Sequence, residues 1–586
     1  MPAISRTTTA SGARSRSVLQ CAIAALPILL ATAQCQAWSG ADTILRGAHV
    51  YTLDAAQPWA SAIAIRAGRI AYVGDDSGAM ALRDARTQVI DLQGGMVLPG
   101  LHDSHMHPMS GGMRLLRCDL APVASERDLL AAARSCAALK PARAWVLGGG
   151  WSAQRIEAGA LRRADLDAIE SKRPVYLASE DGFTAWVNAR ALALAGIDPK
   201  GVSPEIEGLA RDPLTHRPTG IVSAAANDQL HQHIPKPTRR EYREALRRTS
   251  QLANSFGITS VFDAAASPLL LDAYRAADRD GELTLRVVAA QTIDPKGGAE
   301  QIEAMIARRD AVRGKRLRAD AAKIFLDGEI DMRTAAMLAP YAGSSERGAL
   351  LIDVPALDAI VARLDAAGFL IHMHAMGDAA VRAGLDAIEL AERNNGARDR
   401  RHQLAHIGVA DPGDIPRFGK LGVAANFTPL WFRADDSASV AIRAALGPQR
   451  EPWNYPIASV LEHGGLIAAS SDWPAPSMNP LPAMQVAMTR QPFDGSQPPL
   501  QPEQRVPLAT IIAAYTKNAA WLAREEALDG SIEVGKAADL AVLDRNLFAI
   551  APAQLRSVHV LLTFLDGRIV YRDAAFSIPR GRSAGH

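Results

Sequence analysis

Apolar and polar positions alternate in short runs at both ends of the chain. TILRGAHVYTL, AIAIRAGRIAYVG and QVIDLQGGMVLP lie between Asp42 and Leu98, and ADLAVLD and VHVLLTFLDGRIVYRD near the C-terminus repeat the pattern. Alternation with a period of two, broken by Gly and Asp, marks small antiparallel strands. Residues 38–98 and 525–586 are therefore expected to form one composite β-sandwich domain, which requires the intervening domain to bring its own ends together. Inside that frame the pattern changes to short continuous apolar runs separated by helix-like stretches such as VPALDAIVARLDAAG and DAAVRAGLDAIELAERN. Eight strand candidates can be placed, at 96–101, 258–262, 283–290, 321–326, 369–374, 402–407, 421–426 and 466–471. Alternation of strand and helix predicts an α/β fold, a TIM-like (β/α)₈ barrel over 99–524. The gap between the first two candidates far exceeds one crossover helix. An insertion over about 144–239, placed after the first strand, accounts for it and would lie over the barrel mouth as a substrate lid.

Composition narrows the partners. The 586 residues are 48% hydrophobic and 22% charged, a globular balance, and 64 basic against 62 acidic side chains leave a net charge of +2. No overall field is present to recruit nucleic acid or a membrane surface, so a small molecule is the expected partner. At the start, Arg6, Arg14 and Arg16 precede an apolar run from Val18 to Ala33, with Ala31-Thr32-Ala33 as a small-x-small cleavage site. Residues 1–37 read as a signal peptide for export to a periplasm or the exterior, with no membrane span left after cleavage. Cys35 raises a lipid anchor, but Gln34 fits a lipobox poorly. Cys118 and Cys136 remain in the mature chain; they could form a disulfide worth about 3 kcal/mol, or stay as two buried thiols.

The densest chemistry is in MVLPGLHDSHMHP, where an apolar run ends at Pro99-Gly100 and delivers His105 and His107. Residues two apart on a strand share a face, so both imidazoles can reach one metal ion. Four further polar residues close short apolar runs: Lys323 in DAAKIFLDG, His374 in FLIHMHAMGD, His406 in RHQLAHIG and Asp472 after LIAASS. Strand ends are where a parallel barrel places its chemistry. A buried lysine is unexpected, because an unpaired ammonium is costly to desolvate and would repel a cation; it either snorkels, pairs with Asp327, or changes its charge. His372 and His402, also near strand ends, are assigned registers that point them elsewhere and are read as core or supporting residues. Trp151, after three glycines, and Trp473, after Asp472, are candidate walls of a substrate pocket. Asp327 and Arg333 flank the turn after Lys323, and Arg333 either binds a substrate carboxylate or pairs with Asp331.

With LPGLHDSHMHP, DGFTAWVNARALALAGI, GITSVFDA, KIFLDG, HAMGD, the 401–406 segment, SDWPAPSMNPL and GSIEVGKAADLAVLD, the chain resembles the amidohydrolase superfamily from about residue 42 to 572, in the branch that includes N-substituted formamide deformylase. The resemblance implies a metal-dependent hydrolase barrel holding one or two divalent ions, with zinc the expected metal. His105, His107 and Asp472 would hold the first ion. His374 and His406 would hold the second, and carbon dioxide bound as a carbamate on Lys323 would bridge the two. Asp472 would also shuttle the proton of the bridging water to the leaving amine, giving hydrolysis of a non-peptide C–N bond in an amide, N-acyl or formamide-type substrate. Cyclic amides or esters suit the same ligands, and an inactive exported binding protein is the reading from outside enzymes. Relatives often carry His where Phe183 stands and Glu where Ala405 stands, so specificity at the mouth is expected to differ. A homodimer or larger assembly is the family expectation.

Overall fold

Eight parallel strands carry the candidate residues, in an order that steps once around a barrel. The computed structural model describes residues 40–120, 123, 125–138, 144–151, 161–179, 184–201, 205–312, 314–435 and 437–577. The strands are β1 (Leu101–Met106), β2 (Ile258–Ala266), β3 (Arg286–Thr292), β4 (Leu317–Phe325), β5 (Leu370–Ala375), β6 (Gln403–His406), β7 (Ala424–Phe427) and β8 (Ile467–Ala469), each paired in parallel with the next. The segment after β8 closes the ring: the Asp472 N–H donates to the His105 carbonyl at 2.8 Å, and the His107 N–H donates to the Trp473 carbonyl at 2.8 Å. The Asp103 carboxylate accepts from the Ser471 N–H at 3.0 Å, from the Ser471 hydroxyl at 2.5 Å and from the His105 N–H at 3.3 Å.

One strand expectation is corrected. Residues 96–101 are not the first barrel strand. Met96–Pro99 belongs to a six-stranded sheet, paired antiparallel with Leu540–Leu543 and parallel with His49–Tyr51, and the barrel strand begins only after Gly100. The cause is a reversal of the usual cue. Met96, Val97 and Leu98 are fully buried and apolar, whereas β1 reads LHDSHM, because its polar side chains fill the barrel interior. Gly100 is where the chain passes between the two sheets; a Cβ there would come 2.1 Å from the Thr259 hydroxyl oxygen. The other seven strands overlap their expected positions.

The composite β-domain consists of two facing sheets. Arg69–Gly74, Ala62–Arg66, Thr43–Arg46 and Gln88–Asp91 form one. The other takes Arg568–Arg572, Val560–Leu565 and Leu540–Leu543 from the C-terminal side and Met96–Pro99, His49–Tyr51 and Trp59–Ala60 from the N-terminal side. Leu45, Ile63, Ile65 and Ile90 pack against Val97, Leu540, Val542 and Phe564 in one shared core.

After β1, helix α1 (Pro108–Leu116) leads into a separate six-stranded sheet that starts at Cys118–Asp119 and runs through Val146–Trp151, Val175–Ser179, Ala185–Val187, Leu209–Arg211 and Pro218–Val222. The inserted unit thus begins nearer β1 than residue 144. Cys118 and Cys136 are disulfide-bonded, with Cα atoms 5.5 Å apart. Helix α2 (Arg239–Ser255) then returns to β2, opened by a capping box between Thr238 and Glu241. Its buried face, Ala245, Leu246, Thr249 and Ala253, follows helical spacing. Among the described residues no helix is long and apolar enough to cross a membrane. The signal-peptide residues, Cys35 and Phe183 lie outside the described residues.

Asp103 clamps the first strand to the last, so Asp103→Ala leaves three donors without their acceptor. We expect a loss of about 2–4 kcal/mol in unfolding free energy by urea titration; an unchanged midpoint would show that ring closure does not depend on this carboxylate.

Candidate metal centre

The mouth of the barrel gathers six side chains from five strand ends. His105 and His107 leave β1 on one face, as period two requires. Asp472, three residues past β8, places its Oδ1 3.3 Å from His105 Nε2 and 3.2 Å from His107 Nε2. Those separations match the ligand-to-ligand edge of a tetrahedral site with bonds of about 2.0–2.1 Å, which is about 3.3 Å, and the three ligand atoms lie within 4.8 Å of one another. His374 at the end of β5 and His406 at the end of β6 stand with ring centroids 4.6 Å apart, and His406 is also 4.6 Å from His105. His406 and Asp472 both take left-handed backbone angles, φ 76° and 52°, a strained conformation that clusters at functional sites.

Lys323 is fully buried, and its Nζ has no hydrogen-bond partner. Burial pushes its ammonium down to about 7, against the pull of Asp472 and Glu329. His105, His374 and His406 are driven toward the neutral form, first by burial; for His105 and His374 the charge on Lys323 adds most, for His406 that on His374. His374 falls to about 3. Burial opposes the charge on Asp472, but the hydrogen bond from His107 and the charges of His406, His107 and Lys323 hold it below the usual carboxylate range. Neutral imidazoles beside an ionised carboxylate form a donor set for a divalent cation. Buried His105 Nε2, His406 Nδ1 and Lys323 Nζ all lack hydrogen-bond partners, which fits such an ion.

The remaining sequence candidates are placed as follows. Asp327 is buried and accepts backbone N–H bonds from Ala336, Met376 and Gly377 at 2.8–3.0 Å, tying the loop after β4 to the loop after β5, and its Oδ1 lies 3.7 Å from His374 Nε2. Trp151 is not at the mouth; it sits in the core of the inserted unit and donates its indole N–H to the Leu177 carbonyl at 2.8 Å. Trp473 lies at the mouth but is 8% exposed and packs on α1, where a Cβ at Gly111 would meet its ring at 2.0 Å. Arg333 is exposed and makes no ion pair with Asp331. His402 bonds Asp365 and the Ile371 N–H, away from the centre.

His372 corrects the register assigned to it. Two residues before His374, it faces the barrel interior too, and its Nε2 lies 2.8 Å from His105 Nδ1. That bond fixes the His105 ring and leaves Nε2 facing Asp472. Two mouth residues carried no sequence signal. Trp431 stacks on His406 at 5.4 Å. Glu329 approaches His374 Nε2 at 3.8 Å, and burial together with Asp331 and Asp472 pushes its carboxyl above the usual range.

The sequence profile described as the amidohydrolase family matches residues 88–571. Protein LONG AFTER FAR-RED 3 of Arabidopsis thaliana is 29% identical over 544 residues, covering 91% of this chain and 92% of that protein. N-substituted formamide deformylase of Arthrobacter pascens is 28% identical over 556 residues, covering 90% and 98%. The crystal structure of an uncharacterized metal-dependent hydrolase from Pyrococcus horikoshii superposes with a TM-score of 0.71 at 23% identity, over 87% of this chain and 99% of that one, a likeness of fold.

The metal-free protein should show the buried imidazoles in its acid stability. The unfolded chain binds a proton at His374 near pH 6.5, while the folded chain resists until about 3, so stability falls as pH drops between those values. Asp327 and Glu329, raised rather than lowered, work in the opposite direction. Comparing parent with His374→Asn therefore isolates the histidine: the parent should lose up to about 1.4 kcal/mol more per pH unit below about 6. Equal slopes would mean that His374 is not held neutral.

Proposed function

The chain belongs to the amidohydrolase family, and from that premise we propose that it cleaves a carbon–nitrogen bond next to a carbonyl in an amide, N-acyl or formamide-type small molecule. The chain is a metal-dependent amidohydrolase; the substrate class and the assignment of roles are the proposal. The observation that carries it is the approach of Asp472 to His105 and His107 at 3.2–3.3 Å beside a buried lysine with no hydrogen-bond partner. His105, His107 and Asp472 would hold one ion, and His374 and His406 a second, with zinc the expected metal. A divalent ion held there would supply Lewis acidity for a carbonyl oxygen and would lower the pKa of water toward about 7.

The chain's own residues supply the rest. Lys323, pushed toward the neutral amine, adds to carbon dioxide: a C–N bond forms, the amine proton leaves, and the carbamate carries a negative charge where an ammonium would repel the ions. Asp472, ionised and largely buried, takes a proton from water and hands it to the leaving nitrogen. Trp431, stacked on His406, and Glu329, near His374, flank the ligands at the mouth. The signal-like pattern of residues 1–37 supports an exported compartment.

The test is to equilibrate the purified full chain with zinc and bicarbonate, measure bound metal, and follow amine release from N-substituted formamides and N-acyl amines. We expect one to two metal equivalents at the mouth, a clear fall in metal with Lys323→Ala, and a drop in kcat of about 10²–10⁴-fold for Asp472→Asn. A ¹³C carbamate resonance should appear with labelled bicarbonate in the parent and be absent in Lys323→Ala. A parent that binds no metal after this treatment would overturn the reading.

A further inference from the structure

A second group of ligand-type side chains lies at the opposite end of β1. His102, Glu525 and Asp529 present one imidazole nitrogen and two carboxylate oxygens within 4.8 Å of one another. His102 is 3% and Asp529 3% exposed. Asp529 is unusual: both of its carboxylate oxygens are buried and neither accepts a hydrogen bond, and His102 Nε2 is likewise without one. A buried carboxylate left in that state is costly.

The neighbouring cations do not account for it. Arg286 donates to Asp539 at 2.7 Å and to Asp566 at 2.5 Å, and approaches Asp529 only to 3.6 Å. Arg316 donates to Asp566 and Arg318 to Asp320. Glu525 has only the Ser260 hydroxyl, at 3.5 Å. Two carboxylates and an imidazole thus face one another without strong bonds among them. The separation of His102 Nε2 from Asp529 Oδ1 is 3.4 Å, long for an ionic hydrogen bond and close to the edge of about 3.3 Å in a tetrahedral metal site. A small internal cavity lined by Ser104, Ser260, Phe262 and Val288 adjoins His102.

We propose that His102, Glu525 and Asp529 form a second, structural divalent-cation site, of zinc type, at the floor of the barrel. One imidazole with two carboxylates suits a borderline cation such as zinc, and a charge of +2 balances the two carboxylates that the arginines leave without hydrogen bonds. The ion ties the start of β1 to the segment leading into Leu540–Leu543, and so joins the barrel floor to the composite β-domain. It lies apart from the mouth and takes no part in the chemistry there, so this inference does not depend on the proposed function. The competing occupant is a proton: burial opposes a charged His102, but the Asp529 carboxylate outweighs it and holds the imidazole above its usual range.

Anomalous scattering at the zinc edge, from crystals of the full chain grown with three equivalents of zinc chloride, decides between ion and proton. The expected result is a peak enclosed by His102, Glu525 and Asp529. In solution, His102→Gln and Asp529→Asn should each bind one equivalent less than the parent and keep its activity, and a chelator should lower the melting temperature of the parent more than that of either variant. No peak at the floor while one stands at His105, or unchanged stoichiometry in both variants, would overturn the proposal in favour of a protonated His102. A peak at the floor and none at His105 would support this site and count against the proposed function instead.

Discussion

Everything at the mouth rests on a seam. His105 and His107 come from the first barrel strand, Asp472 from just beyond the last, and the three meet at 3.2–3.3 Å only because those strands are locked in register. The lock is partly backbone, Asp472 to His105 and His107 to Trp473, and partly the Asp103 carboxylate, which grips Ser471 and the His105 N–H together. A displacement of even half an ångström at the seam would move a ligand out of range, since coordination distances tolerate only about 0.2 Å. The site is therefore as precise as the ring is closed.

Much of this was legible in the sequence. The His-x-His pair, the four polar residues at strand ends and the alternation of strand with helix point to the mouth of a parallel barrel, and the structure brings all six candidate ligands there. The first barrel strand was hidden for a physical reason: a strand that carries His102, Asp103 and Ser104 in succession does not look apolar, while the neighbouring run from Met96 to Leu98 does, being buried within the other sheet. His372 shows that counting by two is safer than judging by distance from a strand's end. Glu329 sits on an irregular segment and Trp431 ends a short 3₁₀ helix, Pro429–Trp431, and the course of both follows from tertiary packing, so local pattern could not place them. Asp327 illustrates the converse: a carboxylate beside the chemistry can commit its hydrogen bonds to holding loops.

The barrel interior trades stability for chemistry at both ends. At the mouth, Lys323 has no hydrogen-bond partner and three imidazoles are driven toward the neutral form. At the floor, His102, Glu525 and Asp529 face one another without hydrogen bonds. Between and around them the packing is dense and apolar, from Val261 and Val287 to Ile324 and Ile371. Polar groups this buried persist only where surrounding structure holds them, and the arginine network of Arg286, Arg316, Asp539 and Asp566 provides that support at the floor.

The shared sheet has a consequence for how the molecule is made. Met96–Pro99 is flanked on one side by His49–Tyr51 and on the other by Leu540–Leu543, so one edge of an early strand waits for a segment synthesised more than four hundred residues later. Until that segment emerges, an apolar strand keeps an open edge of the kind that recruits other chains, and pairing across so long a separation is slow. A nascent or C-terminally truncated chain is thus the form most exposed to aggregation, and its maturation depends on protection of the Met96–Pro99 edge until synthesis is complete.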